Sequence, residues 1–202
     1  MSRSVSKAAA AVAVCVLATA TLAYAGTGLY HMYMEKQGKY GVDTALKGEG
    51  IKALPKQIAE VKVQADYIPE GMAWRDQYHL EYKDTPCHGG FSFWTVLMDE
   101  GDLDQVNTDL GVEESEKTMF GEHEGVYLKY AGEEEFNQRM YLMFPEEYRV
   151  LVVSIGNDVT KEEAYKVAER LRLEGTDQMV DTEGLSTWSD YATPGEVSVA
   201  AP

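Results

Sequence analysis

The strongest constraint on the fold is a pair of apolar runs, residues 139–144 and 149–155, joined by a proline turn and followed directly by a capped helix. Met140-Tyr141-Leu142-Met143-Phe144 is built from strand formers, and Pro145 ends it by fixing φ and removing a ladder donor. The second run follows at hairpin distance. Gly156-Asn157-Asp158 supplies turn chemistry, after which Thr160-Lys161-Glu162-Glu163 reads as a capping box. In such a box the Thr160 hydroxyl accepts from the Glu163 amide while the Glu163 carboxylate reaches back to the amide of Thr160, and Val159 and Ala164 staple the turn. Ala164, Val167, Ala168 and Leu171 then recur at helical spacing. So narrow a stripe needs a sheet to lie on.

Upstream, Val61-Lys62-Val63 alternates and is closed by the turn in Tyr67-Ile68-Pro69-Glu70-Gly71-Met72. Tyr78, Leu80 and Tyr82 point one way along residues 77–82. A loop through Asp84-Thr85-Pro86-Cys87-His88-Gly89-Gly90 leads into residues 91–98, the most apolar strand of the chain, which predicts burial on both faces. Residues 99–110 read as a polar, acidic connection with a helical turn. Residues 112–120 and 125–130 predict two more strands around Gly121-Glu122-His123-Glu124. The expected fold class is α+β: an antiparallel sheet of about six to seven strands with a C-terminal helix packed on one face, spanning residues 58–173. Short connections favour meander pairing over parallel crossovers.

At 202 residues and 45% hydrophobic, the chain suits one globular domain with tails. A formal charge of −16 without a Lys/Arg cluster argues against nucleic acid and against anionic lipid headgroups. The same charge keeps an exported domain dispersed. Residues 1–25 read as a signal peptide or membrane anchor: Arg3 and Lys7 precede an apolar stretch over 8–20, and Ala23-Tyr24-Ala25 is a small-x-small cleavage pattern. The uncharged stretch 8–30 also has the length of a tilted membrane span. Either reading puts the remainder outside the cytoplasm. Residues 26–57 are expected as a tether and 174–202 as a flexible acidic tail, in which Trp188 and Tyr191 are the large residues able to dock back.

Candidate chemistry is sparse. Cys87-His88 is a thiol beside an imidazole, yet neither a catalytic partner set nor metal-ligand spacing accompanies it; His31, His79 and His123 form no H-x-x-x-H. Cleavage of the leader removes Cys15 and leaves Cys87 as a single thiol. Asp99, Glu100, Asp102 and Asp104 invite a calcium reading, but Val106 and Asn107 stand at the fifth and sixth positions from Asp102, where a loop ligand and a glycine belong. Glu146 with Glu147, and Glu133 to Glu135, are turn carboxylates that nothing in sequence brings together across a cleft. Phe91, Phe93, Trp94, Tyr127, Tyr130, Tyr141 and Phe144 have the composition of a core and, as the rival reading, of a groove for a lipid or peptide.

The Pro-Glu-Gly turn at 69–71, the Gly89-Gly90 strand ending at Met98-Asp99, Gly125-Val126-Tyr127-Leu128, Phe144-Pro145-Glu146 and the capped helix Glu-Glu-Ala-Tyr-Lys-Val-Ala-Glu resemble, over about residues 58–173, a domain of unknown function found in Gram-positive bacteria. That family usually sits outside the membrane behind one apolar segment, sometimes in anti-sigma-factor-like proteins, and it implies no catalytic residues. Seven residues precede the apolar segment here, too few to hold a sigma factor. The expectation is therefore an exported, membrane-tethered or secreted, non-catalytic binding or sensor-like module of the envelope. It carries no cofactor or metal, it touches the membrane only through the N-terminal segment, and it takes a protein, peptide or envelope ligand as partner. The alternatives are a carrier of an apolar ligand between sheet and helix, and a thiol-dependent enzyme at Cys87-His88.

Overall fold

The computed structural model describes residues 29–49, 53–86 and 88–192. The strands run β1 (Leu29–Gln37), β2 (Gly41–Glu49), β3 (Gln57–Ala65), β4 (Met72–Asp76), β5 (His79–Tyr82), β6 (Phe91–Leu97), β7 (Val106–Leu110), β8 (Val112–Phe120), β9 (His123–Tyr130), β10 (Phe136–Phe144) and β11 (Arg149–Gly156). Helix α1 (Lys161–Ala168), strand β12 (Leu171–Asp181) and helix α2 (Trp188–Ala192) follow. They form a seven-stranded sheet in the order β4-β5-β6-β11-β10-β9-β8, a three-stranded sheet β1-β2-β7 and a ribbon β12-β3. The named pairs within each sheet are antiparallel.

The large sheet is apolar on both sides because its central strands carry apolar residues at successive positions while side chains alternate between faces. Phe91, Phe93, Leu142, Leu151 and Val153 share the first face with Ala164, Val167 and Ala168 of α1 and with Val63 and Leu171 of the ribbon. Val96, Val126, Leu128, Tyr141 and Val152 share the second with Tyr30, Met32, Val42 and Leu46 of the small sheet and with Trp188. Helix α1 starts where its capping box puts it: the Glu163 amide donates to Thr160 Oγ1 at 3.2 Å and the Thr160 amide to Glu163 Oε2 at 3.4 Å.

The expected α+β architecture with a C-terminal helix is overturned. Of the described residues, 59% are strand and 11% helix, in three sheets. Helix α1 has eight residues and leads into β12, the longest strand. Leu171, counted into the helical stripe, is the first residue of that strand and alternates with Arg172 and Leu173, because periods of 3.6 and 2 overlap over so short a stretch. The tether expectation is corrected too: within 26–57, β1 and β2 form a hairpin whose Tyr30, Met32, Val42 and Leu46 are buried. Residues 99–110, expected as a connection, end in β7, which pairs with β2. Of the expected tail, residues 174–181 belong to β12, and α2 docks through Trp188, which is fully buried. Its indole Nε1 donates to the Gln105 carbonyl at 3.2 Å, and its ring lies edge-on to Tyr141 at 5.4 Å. The leader expected over residues 1–25 lies outside the described residues. Among those described, no helix is long and apolar enough to cross a membrane.

His123 lies against Phe144, ring centroids 3.9 Å apart, and burial holds its imidazole below the ordinary value, with the Met143 and Leu171 carbonyls offsetting part of the shift. The folded state therefore refuses a proton that the unfolded chain accepts. This contribution is present above about pH 6.5 and is lost as the pH falls toward the lowered folded value. Urea titrations are expected to show wild type losing stability relative to His123→Phe as the pH drops from about 8 to about 5. Trp188→Ala is expected to cost about 3–5 kcal/mol, read as a lowered denaturation midpoint.

Candidate functional site

Where the second face of the large sheet reaches β4, β5 and the start of β6, its side chains turn polar. The register sets His79 opposite Ser92, Ser92 opposite Ser154, and Ser154 opposite Arg139, so these four form one row across β5, β6, β11 and β10. The adjacent row runs through Trp94, Val152 and Tyr141. Two serines thus interrupt strands that are mostly aliphatic and aromatic, and their small side chains floor a concave space of about 340 Å³. Arg75, His79, Glu81, Trp94, Glu135 and Phe136 complete its lining.

The charged groups of this recess are fixed against one another, with Arg75 Nε donating to Asp76 Oδ2 at 3.4 Å. Glu81, whose side chain is only 7% exposed, meets Arg75 Nη1 at 3.2 Å. His79 Nδ1 lies 2.8 and 2.9 Å from the two oxygens of Asp76, so Nδ1 carries the proton and Nε2 is the acceptor of the neutral ring. The Tyr78 amide donating to Asp76 at 2.7 Å, and then His79, hold that carboxyl below its usual range. Glu135 Oε1 accepts from the Gly89 amide at 2.9 Å and lies 3.6 Å from His88 Nδ1. The loop reaches this position because Gly90 sits at φ +71°, where a Cβ would stand 2.4 Å from the Leu80 carbonyl oxygen. The product is a recess of preset donors and acceptors with two aromatic side chains. A carboxylate, an imidazole and a serine are also the parts of a hydrolytic relay, which further needs donors aimed at a developing oxyanion. Among the described residues the charged side chains lining this recess are already engaged with one another or with backbone.

A second polar cluster lies deeper, between β7, β9, β10 and α2. Asp109 accepts from Tyr130 Oη at 2.5 Å, from Tyr141 Oη at 3.0 Å, from Asn107 Nδ2 at 3.0 Å and from Arg139 Nη1 at 3.3 Å. Tyr191 Oη of α2 joins it through Tyr141 at 3.4 Å. Burial pushes the Asp109 carboxyl up, opposed by Tyr130 and Arg139, and burial likewise drives the Tyr130 and Tyr141 hydroxyls upward, so that they stay donors. This set ties the small sheet and α2 to the large sheet.

The residues singled out from sequence scatter. Cys87 lies outside the described residues, and His88 is exposed beside Glu135. Asp102 is buried and accepts from the amides of Asp99 at 2.6 Å and Ser189 at 2.7 Å; Asp104 pairs with Lys47, and Asp99 accepts from the Leu54 amide at 3.2 Å. Each of the three serves the fold. Among the described residues no group of three or more His, Cys, Asp or Glu is arranged around a metal position. Glu146 and Glu147 form a 3₁₀ turn, and the Glu133 and Glu134 carbonyls accept from Asn157. Phe91, Phe93, Tyr127 and Phe144 fill the space between sheet and α1, where a carried apolar ligand would have to sit. Tyr130 and Tyr141 serve the Asp109 cluster, and of the seven aromatics Trp94 alone lines the recess. His79, Ser92 and Ser154 were not identified as a site from sequence. The available signal was a serine within each of two apolar strands.

Arg139→Leu leaves a buried carboxylate without its cation and is expected to cost about 3 kcal/mol in urea denaturation, with Asp109→Leu in the same chain recovering part of the loss.

No curated protein and no solved structure matches the chain. Residues 62–171, just over half of its 202, match the family described as Domain of unknown function (DUF4367), from late β3 to the start of β12, and the chain belongs to that family.

Proposed function

We propose that this chain is an exported, non-catalytic binding module of the cell envelope, secreted or tethered by its N-terminal segment, and that the serine-floored recess is its ligand site. The observation that carries the reading is local. The large sheet is sealed by apolar packing through its centre, and at β4 to β6 it presents an open hollow of oriented, mutually paired polar groups. Preset polar groups in a concave, partly aromatic surface are what a selective binding site requires. Export is supported by the charged start, apolar stretch and Ala-x-Ala pattern of residues 1–25. The strongly acidic composition and the resemblance to Gram-positive domains that sit outside the membrane support the same placement.

Two measurements test it. Intact mass of the full-length gene product in cell fractions should find either a chain beginning at Gly26 in the medium or a full-length chain in the membrane; an uncleaved chain confined to the cytosol overturns export. Ser154→Leu fills the recess and should abolish ligand-induced shifts while leaving the denaturation midpoint within a few degrees, since the side chain is only half-buried.

A further inference from the structure

The groups around the recess also select the chemistry of what enters it, an inference that rests on reading the recess as the ligand site. Charge is the first selector. Arg75 is matched by Glu81 and His79 by Asp76, while Glu135 adds a further carboxylate. Three acids against two bases, on a chain of formal charge −16, disfavour an anion such as phosphate or a fatty acid. The floor is the second. Ser92 and Ser154 face each other across β6 and β11, so their Cβ atoms lie about 5 Å apart, each hydroxyl able to donate and to accept. An apolar ligand seated on them would strip both of water without replacing it. The backbone is the third. The recess opens on the face of the sheet over β5, β6 and β11, each paired on both sides in the ladder, which denies a peptide seated on its floor the strand addition that usually supplies its affinity.

What remains is an uncharged ligand rich in hydroxyls that also has an apolar side. Trp94 and Phe136, the latter 38% exposed, are the aromatic surfaces for that side. An aromatic face carries partial negative charge, which attracts the polarised C–H groups of a sugar ring. We propose that the recess binds a neutral saccharide of about one or two rings, a size its volume accommodates. The ring stacks on Trp94. Ser92 and Ser154 exchange hydrogen bonds with its hydroxyls, and the Arg75–Glu81 pair supplies a planar donor and acceptor held at fixed orientation.

The test titrates the full-length chain with cellobiose and with N,N′-diacetylchitobiose by calorimetry, alongside trialanine and inorganic phosphate. Wild type is compared with Ser154→Leu and Arg75→Gln, each checked for an unchanged thermal midpoint. The proposal expects saturable binding of at least one disaccharide, weakened at least about tenfold by each variant, a loss of about 1.4 kcal/mol or more. Disaccharide binding that both variants leave unchanged overturns it by placing the sugar elsewhere. Trialanine binding that depends on Ser154, with no disaccharide binding, overturns the saccharide while the recess stands as a ligand site. Absence of binding by all four probes in wild type removes the saccharide assignment, and a Ser154→Leu chain that then behaves like wild type toward a whole envelope extract removes the recess as well.

Discussion

The whole architecture answers one demand: a seven-stranded antiparallel sheet that is hydrophobic on both faces has to be covered on both. Antiparallel sheets commonly leave one face to water, which gives their strands a clean polar alternation. Here the central strands have none, and Tyr141, Leu142, Val150, Leu151, Val152 and Val153 are all buried. Each such side chain contributes about 1.5–3 kcal/mol when taken out of water, so an uncovered face of several of them would undo the fold. The first face receives α1 and the ribbon β12-β3, and the second receives the small sheet and Trp188. The DUF4367 match begins after β1 and β2 and ends before α2. The second-face cover is therefore supplied largely by segments outside the family match, with β7 as the part inside it.

Cover built from distant segments has to be held in register, and the Asp109 cluster does this. An isolated buried carboxylate would be expelled or protonated. With four donors converging on it, Asp109 can be placed only where β7, β9 and β10 meet in one arrangement. Tyr191 extends that specification to α2, and Asp102 adds a second anchor by accepting from the Ser189 amide. Such networks add little net stability. Their effect is to make one docking of the cover far better satisfied than its neighbours.

The parts of this fold that sequence displayed are those whose period survives locally. The hairpin β10–β11 and the capped start of α1 are written in consecutive residues, so Pro145 and the Thr160–Glu163 pair could be read directly. Strand β7 could not: Val106-Asn107-Thr108-Asp109-Leu110 is polar, and it is a strand because β2 supplies a ladder and Tyr130, Tyr141 and Arg139 supply partners for Asp109. The hairpin β1–β2 alternates correctly, but in tyrosine, methionine and threonine between lysines and glycines, a composition that tertiary burial resolves and propensity does not. The α+β reading failed for the same reason, since it counted the one element with an unmistakable signature and missed covers made of weak strands.

The recess was illegible for a different reason. Ser92 and Ser154 lie far apart in the chain, and neither is remarkable alone; only the pairing of β6 with β11 makes them neighbours. A slip of one residue in that pairing would turn every β6 side chain to the other face, setting Phe91 and Phe93 where Ser92 and Trp94 now lie. Register is thus the physical origin of the site as well as of the core. It is held by Phe93 and Phe91 stacking in the first-face core and by Val96 and Val152 packing in the second. The floor of the hollow is placed by the same alternation that buries the hydrophobic residues on both faces, and the connection from β9 to β10 adds Glu135 to its lining. Because the floor is set by the ladder of β5, β6 and β11, the groups fixed above it, Arg75 against Glu81 and His79 against Asp76, keep their orientation relative to the two serines.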